Sequence, residues 1–241
     1  MYKTTASVYD LFMDKKLYDE WIEYILKLWK RHRLRPKLVL DLCCGTGNIT
    51  HRLAERGYEM IGVDISPDML MRAQRKSTRE VLFLNQDAAR FELYGTVDAI
   101  VCLCDSVNHI IGKKQLLSMF KQVYTYLNPG GLLIFDINTS HRFERDLAYP
   151  FCGLNKDSAF IIESSCDSRK KIMQFVTTFF IKEPGGYKRK REVHYERVYK
   201  IGELCAMLKK TGLKPLAVYN DRTFTRPDKK SGRVFFVVRR P

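Results

Sequence analysis

Apolar residues gather along this chain in short runs at 38–42, 59–63, 81–85, 97–103 and 131–137, each of strand length and bounded by polar or glycine-bearing stretches. Between them lie helix-like stretches at 46–56, 67–76 and 113–127, the second opened by Ser66-Pro67, an N-cap followed by proline at the first helical position. Strand and helix in alternation predict a parallel sheet with helices on both faces. Ahead of the first strand, residues 18–32 place Trp21, Ile25 and Leu28 at four- and three-residue spacing, with Trp29 beside them, which predicts an amphipathic helix. Beyond residue 140 the pattern changes. "FIIESS", "KIMQFVTTFFI" and "YKRKREVHYERVY" are strand-like, and Pro184-Gly185-Gly186 between the last two reads as a hairpin turn. A helical stretch at 201–211 ending at Gly212, then strands at 213–219 and 233–239, return the chain to α/β character. The expected organisation is one α/β domain built from 1–139 and 199–241, carrying a small inserted antiparallel β unit at 140–198.

Composition agrees with this picture and narrows it. The 241 residues, 45% of them hydrophobic, can bury a full core as one domain with a small insertion. No uninterrupted apolar run approaches a membrane span, and the polar opening "MYKTTASVYD" is unlike a signal peptide, so a cytoplasmic protein without membrane contact is expected. The seven cysteines are odd in number and lie largely in apolar runs, which suits reduced packing residues. Cys102 and Cys104 alternate along a strand and would point to opposite faces, so no metal site is expected. The formal charge of +15 is uneven: residues 1–140 hold 19 Lys and Arg against 16 Asp and Glu, whereas 141–241 hold 23 against 11. That field favours an anionic partner, or simply keeps the surface solvated.

Candidate chemistry starts at "VLDLCCGTGNIT", where an apolar run ends in Asp41 and breaks at Gly45-Thr46-Gly47 before a helical stretch, as in the first turn of a nucleotide-binding βαβ unit. A dinucleotide fingerprint needs Gly or Ala three residues after its second glycine, and here that position is Thr50. A nicotinamide cofactor is therefore disfavoured. Three acids instead close three successive strands: Asp41, Asp64 in "GVDIS" and Asp87 in "NQDAA". In an open parallel sheet those strand ends border one crevice. A carboxylate after the second strand can accept both ribose hydroxyls, and one after the third can accept from an adenine amine.

On these residues the chain resembles the class I S-adenosylmethionine-dependent methyltransferases. "VLDLCCGTGNIT" is similar to their acidic and glycine-rich first motif, "MIGVDISPDML" to the ribose motif, "FLNQDAARF" to the adenine motif, "VDAIVCLCDSVNHI" to the strand ending beside the transferring methyl, and "YLNPGGLLIFDIN" to the next helix end and strand. The opening "SVYDLFMD…YDEW", "CDSVNHI" and "HYERVY" look like a bacterial small-molecule-type branch in which an antiparallel β insertion covers the site. The resemblance implies a Rossmann-like seven-stranded sheet whose last strand is antiparallel, and S-adenosylmethionine as cofactor. It implies contacts from Asp41 and the backbone of Cys43, Gly45, Thr46 and Gly47 to the amino acid part, from Asp64 and Ile65 to ribose, from Met69, Asp87 and Ala88 to adenine, and from Leu103 at a strand end. Tyr9 and Trp21 would close over the cofactor from the N-terminal helices. The commonest family pattern has glycine at the position of Cys43 and often at Asn48, so the local turn geometry is expected to shift.

Methyl transfer from a sulfonium is an in-line displacement, so the protein must hold a nucleophile about 3 Å from the methyl carbon and exclude water. Asp105, Asn108 and His109 follow the fourth strand beside that point, and His109 is the candidate general base. His194 and Arg197 come from the insertion; their odd separation means that a regular strand aims only one of them at the site. Asp105, His109 and Arg197 are thus the catalytic candidates, Arg197 as the clamp for an acceptor carboxylate or phosphate. The expected function is methylation of a small, anionic acceptor by a monomer or weak dimer. An RNA or protein methyltransferase using the basic C-terminal half is the less favoured alternative, since "CLCDSVNH" lacks the Asn/Asp-Pro-Pro-aromatic pattern of base methylation. A binding module that keeps the pocket without turnover is a third.

Overall fold

The computed structural model describes residue 10, residues 15–77 and residues 79–241. Helix α1 (Lys15–Arg31) buries Trp21, Ile22, Ile25, Leu28 and Trp29 along one stripe, as its spacing predicts. The alternating unit follows: β1 (Leu38–Leu42), α2 (Asn48–Glu55), β2 (Glu59–Asp64), α3 (Pro67–Lys76), β3 (Leu82–Asn85), β4 (Val97–Cys102), the single turn α4 (Ser106–His109), α5 (Lys113–Tyr126) and β5 (Leu127–Asn138). Ser66 caps α3, its hydroxyl accepting from the Met69 N–H, with Pro67 at the first helical position. After the insertion, α7 (Ile201–Lys210), β10 (Lys214–Asn220) and β11 (Arg233–Arg239) complete the sheet.

The seven strands lie in the order β10-β11-β5-β4-β1-β2-β3, with β11 antiparallel to both neighbours and the others parallel. Period-two alternation sends Leu40, Ile100, Phe135 and Phe236 to the layer that holds α5 and α7. Val39, Val101, Ile134 and Phe235 go to the layer that holds α1 and α2. The strand order reverses between β1 and β4, which opens a crevice beyond their carboxyl ends.

The insertion is a separate four-stranded antiparallel sheet, β6 (Phe151–Leu154), β7 (Ser158–Asp167), β8 (Ile172–Glu183) and β9 (Gly186–Arg197), in that spatial order. Two of its parts depart from the sequence pattern: it opens on helix α6 (Ser140–Arg145), and β6 is an extra edge strand. Neither has a periodic signal, because "SHRFER" offers only Phe143 to a core and "FCGL" is four residues long with a glycine inside. Phe143 packs with Met173 and Phe175 of β8 in a small core of its own. The end of β9 is stitched to the main domain through polar groups. Asn108 donates to the Arg197 carbonyl at 2.9 Å, Arg197 Nε to the Ile111 carbonyl at 2.6 Å, and the Tyr199 hydroxyl to the Ile110 carbonyl at 2.5 Å. Among the described residues no helix is long and apolar enough to cross a membrane.

Candidate active site

A cavity of about 340 Å³ occupies the crevice and is lined from every strand end that borders it. Asp41, Cys43, Gly45 and Thr46 come from β1 and its turn, Asp64, Ile65 and Met69 from β2 and α3, Asp87 and Ala88 from the β3 loop, and Leu103 and His109 from beyond β4. The sequence reading placed all of these in one site, and the fold gathers them there.

The first turn is wound tightly enough to require left-handed backbone. Cys43, Gly45 and Gly47 have φ of 64°, 55° and 75°. For Cys43, an L residue where glycine is at ease, that conformation costs roughly 1–2 kcal/mol. Its side chain points into the α5-facing layer, so it is a packing residue held in strained backbone. A Cβ on Gly47 would come within 2.8 Å of His51 Nε2, so this glycine serves the turn and does not line the cavity. The Gly47 N–H closes the turn onto the Cys44 carbonyl at 2.9 Å. Asp10 anchors the same turn from the N-terminal side, accepting from Thr46 Oγ1 at 2.8 Å and Asn48 Nδ2 at 2.7 Å. Its neighbour Tyr9, the expected cover over the cofactor, lies outside the described residues.

Asp64 takes the Gly45 N–H on one oxygen and the Ser66 N–H on the other, each at 2.8 Å, which fixes its carboxylate at the cavity wall with lone pairs to spare. Asp41, 2% exposed, accepts from Thr50 Oγ1 at 2.5 Å. Burial, with the nearby Asp64 charge adding to it, pushes the Asp41 carboxyl up to about 7. Burial raises Asp64 as well. Neither carboxylate is answered by a cationic side chain among the described residues. Two desolvated acids on one cavity wall fit a cationic ligand, and S-adenosylmethionine carries a sulfonium and an ammonium. Asp87 is spoken for in part: Oδ1 receives the Ala89 N–H at 2.9 Å and Oδ2 lies 3.5 Å from Arg90 Nε. Ile65, 64% exposed on the cavity rim, is an apolar face that a flat ring would cover.

Three expected residues take other work. Trp21 is 2% exposed inside the α1 layer, with the Arg233 guanidinium 5.4 Å over its ring, so it packs in the core and does not line the cavity. Arg197 spends its guanidinium on main-chain carbonyls, Nε on Ile111 and Nη1 on Lys170 at 2.9 Å, so it fastens the insertion and is not an anion clamp facing the cavity. Asp105 does not line the cavity and is bound by Arg233 Nη2 at 2.6 Å. Arg233 Nη1 also pairs with Asp136, whose Oδ2 receives the Asp105 N–H at 3.0 Å. This triad holds the chain after β4 in two successive left-handed residues, Cys104 at φ 59° and Asp105 at φ 52°. Burial would raise Asp105, but Arg233, with His109, holds it below the usual range; burial wins at Asp136, at about 6.

The arrangement brings His109 onto the cavity wall with carboxylates behind it. Its Nε2 lies 3.9 Å from Asp105 Oδ2 and 3.9 Å from Glu196 Oε1 of β9. His194, two residues from Glu196 on the same face of β9, stacks on Phe175 at 5.0 Å and places Nε2 3.9 Å from the same Glu196 oxygen. Of the parity-opposed pair, then, His194 faces this cluster and Arg197 turns away. Burial lowers His109, against the pull of Asp105, and lowers His194 to about 4. The sequence reading missed Glu196 and Arg233; the visible signal for Arg233 was a cation opening the apolar stretch 234–238 of β11.

Known proteins agree with this geometry. The family described as "Methyltransferase domain" matches residues 39–131. A Bacillus subtilis (strain 168) protein named as the methyltransferase YqeM is 36% identical over 243 residues, covering 98% of this chain and 96% of its own. The crystal structure of an S-adenosylmethionine-dependent methyltransferase from Clostridium acetobutylicum superposes with a TM-score of 0.86 at 27% identity, covering 98% of this chain and 96% of that one. A dTDP-3-amino-3,6-dideoxy-alpha-D-glucopyranose N,N-dimethyltransferase of Streptomyces fradiae is 29% identical over 133 residues, 54% of this chain and 52% of its own.

Proposed function

We propose that this chain, which belongs to the S-adenosylmethionine-dependent methyltransferases, passes the methyl group to a nitrogen or oxygen of a small molecule held between the main domain and the inserted sheet. The observation that carries this is the place of His109, on the wall of the same cavity as Asp64 and Leu103 and directly beneath β9. The bound cofactor supplies a methyl carbon activated by a sulfonium. Asp64 would hold its ribose, the Gly45 turn its amino acid end, and Met69 with Ile65 its adenine. His109, neutral because burial disfavours its charged form, would take the proton that the acceptor must lose. The inserted sheet excludes water and shapes the acceptor site. The Streptomyces fradiae relative, named for an amino sugar, supports an acceptor of that size.

An anionic acceptor is not favoured by this geometry, since Arg197 is engaged elsewhere. The basic run Lys188–Arg191 lies at least three residues up β9 from His194, roughly 10 Å at ~3.3 Å per residue. The test is transfer of radiolabelled methyl into a cell extract split into small-molecule, RNA and protein pools. Label should enter the small-molecule pool. Label confined to RNA or protein would overturn the proposal in favour of a macromolecular acceptor, and cofactor binding without transfer to any pool would make the protein a binding module.

A further inference from the structure

The groups around His109 are chosen for one kind of charge. From the turn before α4 comes Asp105, from β9 come His194 and Glu196, from β5 Asp136, and the cations facing them, Arg233 of β11 and Arg142 of α6, are fewer than the acids. Glu196 is the outlier. It is 5% exposed, it is carried into the protein by the inserted sheet, and its Oε2 is buried without a hydrogen-bond partner among the described residues. Burial, with the Asp105 charge beside it, pushes the Glu196 carboxyl well above the usual carboxylate range, so it ionises only when something positive arrives. A chain with a formal charge of +15 has thus gathered three acids against two arginines around the imidazoles, at the point where the acceptor must enter.

Resting on the methyltransferase function proposed above, we propose that the acceptor is an amine that arrives as an ammonium ion, and that Glu196 is the positioning residue that lets His109 take its proton. The ammonium is drawn to the wall backed by Asp105 and Glu196. It yields one proton to His109, whose imidazolium then lies 3.9 Å from each carboxylate. The freed nitrogen lone pair forms the new bond to the methyl carbon, and the electron pair of the breaking carbon–sulfur bond stays on sulfur, leaving a neutral thioether. The proton on His109 passes to solvent when the product leaves. A hydroxyl acceptor fits poorly. An alcohol ionises near the ~15.7 of water, about nine units above an ordinary histidine, whereas an alkylammonium near ~10.4 stands about four above it. Carboxylates behind an imidazole would also repel a developing alkoxide.

The experiment uses the protein saturated with S-adenosylhomocysteine and two ring-sized probes that differ in one group, cyclohexylamine and cyclohexanol, titrated by NMR into wild type and Glu196→Gln. Cofactor affinity is measured by calorimetry in the same samples. Wild type should bind the amine at least tenfold more tightly than the alcohol, E196Q should lose that preference, and the His109 titration point should fall in E196Q because the carboxyl that ionises beside its imidazolium is gone. Cofactor affinity should be the same in both. Equal binding of the two probes, or a preference kept in E196Q with an unmoved His109, overturns the proposal while leaving the methyltransferase function standing. Failure to bind the cofactor would sink that function instead. Asp105, His109 and Glu196 also place ligand atoms within 4.8 Å of one another. Stoichiometric Zn²⁺ binding by wild type, lost in E196Q, would therefore overturn the ammonium assignment in favour of a metal centre.

Discussion

Arg233→Ala should cost the protein about 3–5 kcal/mol of stability, the penalty for removing one partner from a buried charge network. The guanidinium is 7% exposed and holds two acids, Asp105 at 2.6 Å and Asp136 beside it, beneath the Trp21 ring. Without it Asp136 stays buried with its partner gone, Asp105 keeps only the weaker pull of His109 and Arg142, and the left-handed Cys104-Asp105 turn loses its clamp. Denaturant unfolding measures the loss, and its pH dependence identifies the cause. In the variant both acids should have folded-state values raised above their unfolded ones, so they subtract stability only where the unfolded chain would be ionised. The deficit relative to wild type should therefore shrink on acidification below about pH 4 and grow toward neutral pH. A deficit under 1 kcal/mol, or one independent of pH, would mean that the triad contributes little.

Asp64→Ala should lower affinity for S-adenosylmethionine at least tenfold while the fold persists. A hydrogen bond to a charged acceptor is worth about 1.5–3 kcal/mol, the ribose offers two, and ~1.4 kcal/mol is a factor of ten. The same carboxylate also receives the Gly45 and Ser66 N–H groups, so the substitution loosens the turn that approaches the cofactor as well. Calorimetry decides the matter, and unchanged affinity would reduce Asp64 to a turn-forming residue. The wild-type protein has a second signature in the same titration. Asp41, at about 7, must be ionised to attract a cation, so cofactor affinity should fall as pH drops from 8 to 6.

The parallel half of the fold and most of the cavity wall were legible in the sequence because they rest on local signals. Five apolar runs of strand length announced β1 to β5, and Asp41, Asp64 and Asp87 followed three of them at their carboxyl ends, where the topology had to bring them together. What stayed illegible depends on partners distant along the chain. Trp21 has the same helical spacing whether it covers a ligand or fills a core, and the core took it. Arg197 and Glu196 are neighbours on one strand, yet the pleat sends one to main-chain carbonyls and the other to the buried cluster. Strand parity could state that His194 and Arg197 diverge but not which faced inward, and it left Glu196, on the face of His194, unremarked. Arg233 meets Asp105 across 128 residues, a pairing that no local pattern encodes.

The acceptor site between the two sheets is tested most directly by replacing residues 140–198 with a short Gly-Ser linker and measuring cofactor binding and methyl transfer into the small-molecule pool side by side with wild type. Cofactor affinity should persist, because none of the residues lining the cavity lies in 140–198, while transfer should disappear with Glu196 and the cover over His109. Transfer at the full wild-type rate by the shortened protein would contradict the placement of the acceptor beneath the inserted sheet.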